Sequence, residues 1–147
     1  PEYVRGFWDA HAGHIEAGDL DAIARGQLQA EDEAAGRARR LLLCDTDLLT
    51  NVLWADLLFP GACPPWLRAE ADRRSRTYAL YLFCQTDLPF EPDPQRCFPD
   101  EAGRRMCLRL WRETLETRRL PFRLIQGQGD DRLRHAVEAV DAVLART

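Results

Sequence analysis

Three polar clusters in this chain each follow a run of apolar residues, and each carries groups able to hold a metal ion or a phosphate. The first is Asp45-Thr46-Asp47, directly after Arg40-Leu41-Leu42-Leu43-Cys44. The second is Gln85-Thr86-Asp87, after Thr77 to Cys84, and it continues into a loop with Asp93 and Arg96. The third is the glycine turn Gly127-Gln128-Gly129, after Pro121 to Ile125, with Arg132 just beyond. Carboxylates that end an apolar run suit a hard cation such as Mg²⁺, or a base for a hydroxyl. Arginine suits phosphate oxygens, because its guanidinium is always charged and makes paired contacts. Together the clusters fit nucleotide phosphoryl transfer. Plainer roles stand beside this one. Asp45, and Asp47 more so, precede a helical stretch and can cap it, while Asp93 and Arg96 can pair with each other. His11 and His14 are three residues apart but have no third ligand, so they read as no metal site. Trp8, Trp54, Trp66 and Trp111 read as core or interface residues.

These clusters need a scaffold, and hydrophobic periodicity supplies one. Residues 19–39 form a helix with Leu20, Ile23, Ala24, Leu28 and Ala35 near one face. Asp19 can cap its start, and Glu31-Asp32-Glu33 reads as a solvated face. Residues 40–44 are apolar on both faces, which suits a buried parallel strand. A helix follows over 48–59, stopped by Pro60-Gly61, and another over 66–74 after Pro64-Pro65. Thr77 to Cys84 is the second buried strand. Gln85 to Pro99 holds four prolines and is a loop. Residues 100–119 are helical, with Met106, Leu110, Trp111 and Leu115 on one side. Pro121 to Ile125 is the third strand. The last helix covers 130–146, with a stripe of Leu133, Val137, Val140 and Leu144. Alternating strand and helix point to an α/β fold with a parallel sheet, whose ligands gather at the carboxyl ends of the strands.

Composition narrows the function classes. The chain has 147 residues, one domain's length, with 46% hydrophobic and 30% charged residues. Its formal net charge of −4 gives no footprint of a nucleic-acid binder. No apolar run approaches the roughly 20 residues of a membrane helix. All twenty basic residues are arginine. That excludes a lysine Schiff base, a lysine general base and the lysine of a phosphate-binding loop. Five cysteines, an odd number with no C-x-x-C pair, read as reduced thiols in a cytoplasmic protein. Self-association is left open.

Read in order, the motifs resemble the ribosylnicotinamide (nicotinamide riboside) kinase domain of the bifunctional NAD-biosynthesis regulators, a branch of the P-loop kinases. Glu2-Tyr3-x-Arg5 resembles the family's E-Y-x-R segment. Asp19-Leu20-Asp21-x-Ile23-Ala24-x-Gly26-Gln27 resembles its D-x-D-x-I-A-x-x-Q helix. Leu43 to Thr50 resembles its strand ending in D-T-D-x-x-T. Asp87-Leu88-Pro89-Phe90-x-x-Asp93-Pro94-x-Arg96 resembles its lid loop, with Phe90 in place of tryptophan and Pro94 in place of glycine. Gly127, Arg132 and Ala136 resemble its G-x-x-x-x-R-x-x-x-A ending. The resemblance implies transfer of the γ-phosphoryl of ATP to the 5′-hydroxyl of nicotinamide riboside, with Mg²⁺. It implies that Asp45 holds the metal and that Asp47 places the ribose or the metal. Glu2, Tyr3, Arg5 and Asp93 would line the substrate pocket, with Glu2 orienting or deprotonating the hydroxyl. Arg96, with Arg104, would close over the transferring phosphate, and Gly127 and Arg132 would lie at the nucleotide. The runner-up is a regulatory module that senses a nucleotide without chemistry.

The family's phosphate-cradling loop, G-x-x-x-x-G-K-[ST], does not occur in this chain. In the family it lies upstream of the E-Y-x-R segment, after the first strand, so the chain resembles the family minus its first ~35 residues, the length of one strand–helix unit plus a strand. The expected fold is therefore a single, N-terminally incomplete domain over residues 1–147. It is a three-layer P-loop-like parallel sheet flanked by helices, without its first strand. That strand is central in the family, so strands 40–44 and 77–84 should flank an empty lane. Strands bond at about 4.8 Å and cannot bridge a doubled gap. The expectation is that loop and strand precede Pro1. A partner chain donating them, or a sheet rearranged around a non-catalytic remnant, are the alternatives.

Overall fold

The computed structural model describes residues 3–93 and 95–146. They form two compact units that divide between Thr77 and Tyr78.

The first unit is helical. It contains α1 (Tyr3–Ala10), a 3-10 turn (Ala17–Asp19), α2 (Leu20–Arg37), α3 (Leu48–Leu58) and α4 (Pro65–Ser75). Leu20 and Ala24 of α2, Leu48, Val52 and Ala55 of α3, and Leu67 and Ala71 of α4 close around one core. The buried face of α2 follows the expected stripe through Leu20, Ile23 and Ala24, then continues through Gln27 and Glu31. Two expectations are corrected here. Asp19 makes no side-chain cap on α2; its carboxylate accepts the Glu16 N–H at 2.8 Å and closes the turn before it. Glu31 is not on a solvated face. It is buried and pairs with Arg74 of α4 at 3.2 Å, and the same guanidinium reaches Asp32 and Glu70. Paired with Arg73 and Arg74, Glu70 is held down to about 2.

Gln27 is the polar exception in this core. At 1% exposure, its Oε1 accepts the Tyr3 N–H and its Nε2 donates to the Thr46 carbonyl, both at 3.1 Å. One side chain therefore joins the start of α1, the middle of α2 and the Asp45–Asp47 segment. The Tyr3 ring lies so close on Gly26 that a Cβ there would fall within 2.1 Å of it.

The second unit is a β–α–β–α run: β1 (Tyr81–Cys84), α5 (Glu101–Thr117), β2 (Phe122–Ile125) and α6 (Gly129–Leu144). β1 and β2 pair in parallel, with Tyr81 opposite Phe122 and Cys84 opposite Ile125. Asp100 caps α5 by accepting the Gly103 N–H at 2.9 Å.

The three-stranded reading is corrected to a two-stranded sheet among the described residues. Leu41–Cys44 is not helical and has no strand partner, and Leu43 is 65% exposed. A run apolar on both faces becomes a strand only between neighbours that satisfy its N–H and C=O groups, and the described residues offer none. The α6 stripe is corrected too. Leu133 and Val137 are exposed, at 63% and 48%, whereas Val140 and Leu144 are half-buried as expected, and Ala136 and Ala139 take the places of the first two on the packed face. Arg132 joins that face, as its contacts below explain.

Removing Gln27 leaves the part-buried Tyr3 N–H and Thr46 carbonyl without their partner. Gln27→Ala should lose about 2 kcal/mol of unfolding free energy, whereas Gln29→Ala, on the exposed face of α2, should stay within about 0.5 kcal/mol. Equal losses in urea unfolding would contradict the bridging role.

Candidate functional site

The helical unit presents the Asp45-Thr46-Asp47 cluster at the start of α3. Asp47 is buried, and its Oδ1 accepts both the backbone N–H and the hydroxyl of Thr50 at 2.8 Å. This is an N-cap, which occupies one of the helix's four free N–H groups. Asp45 differs. It is exposed, and no hydrogen bond or ion pair engages its carboxylate among the described residues. Beside it, the Thr46 hydroxyl oxygen is buried without a hydrogen-bond partner, as is the Asn51 side-chain nitrogen one turn into α3.

Can these residues hold Mg²⁺? The ion takes near-octahedral oxygen ligands and is usually bound through one or two carboxylates, with water and substrate phosphates filling the rest. An uncommitted carboxylate beside an unpaired hydroxyl fits that donor set. Among the described residues, no group of three His, Cys, Asp or Glu side chains forms a full protein cage. Tyr3 and Arg5 both lie on α1, and Glu2 lies outside the described residues. His11 follows the end of α1; its ring stacks on Phe7 at 3.8 Å and its Nδ1 meets the Phe7 carbonyl at 2.8 Å.

The second unit builds its polar cluster at the carboxyl ends of both strands. Gly127 adopts φ +91°, a conformation open to glycine, and its N–H donates to Asp87 Oδ2 at 2.6 Å. Arg132 reaches back from the first turn of α6. Its Nη1 donates to Asp87 Oδ1 at 2.6 Å and to the Gly127 carbonyl at 3.2 Å, and its Nη2 donates to the Gln85 carbonyl at 2.9 Å. The Gly127 N–H and the Arg132 guanidinium hold the Asp87 carboxyl below the usual aspartate range. Arg132, expected at the nucleotide, is thus engaged in joining the two strand ends. Sequence reasoning assigned Asp87 no role of its own. Its signal was an aspartate just past a strand, and its arginine partner lies 45 residues away.

The proline-rich loop follows Asp87 in the chain. Asp93 Oδ1 accepts the Gln95 N–H at 2.9 Å, and the Arg96 Nε lies 3.7 Å from Asp93 Oδ2, so the two residues form a loose pair. Arg96 is otherwise exposed. Arg104 on α5 donates to the Pro99 carbonyl and lies over the Phe90 ring, 4.5 Å from its centroid. That cation–π contact ties the loop to α5.

Family comparison adds its own finding. The AAA domain family matches residues 1–132. The chain belongs to this family. No curated protein and no solved structure matches it. As an AAA domain, a family of the P-loop type, the chain is assigned nucleotide binding, the function class its strand-end clusters suggested. Within the described residues of this AAA domain, no helix is long and apolar enough to cross a membrane.

The Asp87 shift makes stability depend on pH. A carboxyl held low in the folded state stays ionised while the unfolded chain takes up its proton near the ordinary value, about 4. Its stabilising effect is complete above that value and is lost as the pH falls through the lower, folded one. Denaturant midpoints measured from pH 7 down to pH 2 should therefore fall on the acid side. Asp87→Asn should be less stable at pH 7 and show a shallower acid decline; an unchanged acid slope would show that Asp87 is not the group responsible.

Proposed function

We propose that this AAA domain is part of an ATP-dependent nucleoside kinase acting on the 5′-hydroxyl of nicotinamide riboside. Two lines support the reading. The ordered motifs from Glu2 to Ala136 resemble that kinase family along nearly the whole chain. The observation that carries it is the division of labour in Asp45-Thr46-Asp47: Asp47 is spent on the α3 cap, while Asp45 stays exposed and uncommitted.

Phosphoryl transfer of this kind rests on positioning and charge neutralisation. Mg²⁺ bound to ATP would neutralise charge on the phosphate oxygens, and Asp45 is the residue to hold it. Arg96, exposed on its loop and only loosely paired with Asp93, is free to exchange that carboxylate for phosphate oxygens. Arg104 acts on the loop's placement through Phe90. Glu2 and Arg5, with Tyr3, would bind the nucleoside and orient its hydroxyl. Gly127 would lie beside the nucleotide, with Arg132 and Asp87 fixing the turn it belongs to. This reading requires a phosphate-cradling loop, a motif that residues 1–147 do not contain.

The test is the complete gene product with ATP, Mg²⁺ and nicotinamide riboside, read as formation of nicotinamide mononucleotide. Turnover is expected, and Asp45→Asn should lower kcat by roughly 10²-fold or more, the scale for losing one electrostatic stabiliser. Phosphorylation of a different acceptor only would reject the substrate. ATP binding without transfer to any acceptor, insensitive to Asp45→Asn, would replace the kinase with a nucleotide-sensing module.

A further inference from the structure

The geometry points to Cys97 and Cys107 as a disulfide-forming pair that pins the base of the proline-rich loop to α5. The argument starts from the cap of that helix. Asp100 turns the chain into α5, and Phe98, two residues earlier, folds back along it: a Cβ built on Gly103 would lie 2.7 Å from the Phe98 Cβ. Gly103 and Cys107 are four residues apart, so they share a helix face about 6 Å apart along the axis. Cys97 precedes Phe98, one Cα step of about 3.8 Å away. The loop's return path therefore carries Cys97 onto the same face, toward the turn that holds Cys107. The electrostatics agree. Burial raises the Cys107 thiol first, and Cys97 raises it further, so the two sulfurs lie within charge reach of each other. Both thiols are free, and Cys97 is an exposed residue.

The chemistry is thiol–disulfide exchange with a small disulfide. One cysteine thiolate attacks a sulfur of that disulfide and expels one small thiolate. The second cysteine thiolate then attacks the mixed disulfide, forms the Sγ–Sγ bond and expels the other. The cysteines lose two electrons and two protons, and the small disulfide is reduced to two thiols. The bridge closes an eleven-residue segment at the foot of the loop that carries Asp93 and Arg96. Its consequence for phosphate binding rests on the kinase reading; its formation does not.

The protein's own sequence makes the test direct. Trypsin cuts after arginine, so Cys97–Arg104 and Met106–Arg109 leave as separate peptides unless a disulfide joins them. Native protein is incubated with oxidised glutathione, alkylated and digested without reductant. The joined pair is expected as the predominant cross-link, absent from Cys97→Ser and Cys107→Ser, whereas protein oxidised in urea should spread its cross-links over all five cysteines. Cys97 recovered only as a glutathione adduct, or joined in native protein to Cys44, Cys63 or Cys84, would overturn the pairing. A second readout follows limited cleavage after Arg96. The oxidised protein should be cut more slowly, by about fivefold or more, with the ordinary rate restored by reductant or by Cys107→Ser. An unchanged rate in the cross-linked protein would overturn the pinning. Neither readout requires turnover, so a failed kinase assay and a failed disulfide are told apart.

Discussion

A parallel pair of strands ends with its last carbonyls and amides pointing at nothing, and in this molecule one guanidinium supplies the missing order. Arg132 donates to Gln85 and Asp87 beyond β1 and to Gly127 beyond β2, while Asp87 accepts the Gly127 N–H in return. Two chain segments far apart in sequence are thus locked edge to edge at the end of the sheet where α/β proteins bind ligands. The arrangement needs a planar, multiply donating cation. A lysine ammonium could not span the same three oxygens in one plane. The charged side chain is itself only 16% exposed, so its partners are required: removing any of them leaves a poorly solvated charge short of hydrogen bonds.

The helical unit solves a similar problem with a neutral side chain. Gln27 lies in the apolar stripe of α2 where a leucine would satisfy periodicity, yet it gives the core two hydrogen bonds that leucine cannot. Through them the backbone at Tyr3 and at Thr46 is fixed against the same turn of helix. The segments that resemble a nucleoside pocket and a metal-binding strand end therefore share one support. Asp47 adds the cap of α3, which leaves Asp45 as the carboxylate of that cluster turned to solvent.

Much of this was legible in the sequence, and the misses have physical reasons. Helix starts were readable where a cap or a proline marks them: Asp47, Pro65 and Asp100 open α3, α4 and α5 within a residue of expectation. Strands β1 and β2 lie inside the apolar runs that announced them. Periodicity could not reveal Gln27 or Glu31 as buried, because both look like breaks in the stripe until their distant partners, Thr46 and Arg74, are known. It misplaced the first half of the α6 face, because apolar spacing favoured Leu133 and Val137, whereas the bonds of Arg132 to the strand ends go with a packed side at Ala136 and Ala139. The pairing of Asp87 with Arg132 is a tertiary fact that only the parallel register creates. At the candidate site, the uncommitted state of Asp45 follows from its neighbour's taking the cap, and the sequence had allowed either aspartate that role.

Leu41–Cys44 carries a consequence for handling the chain by itself. A run of leucines with no strand partner among the described residues is a template on which another such stretch can hydrogen-bond, and exposed Leu43 supplies apolar adhesion. Solutions of this polypeptide alone should become turbid with rising concentration, and a charged residue introduced at position 43 is the natural remedy.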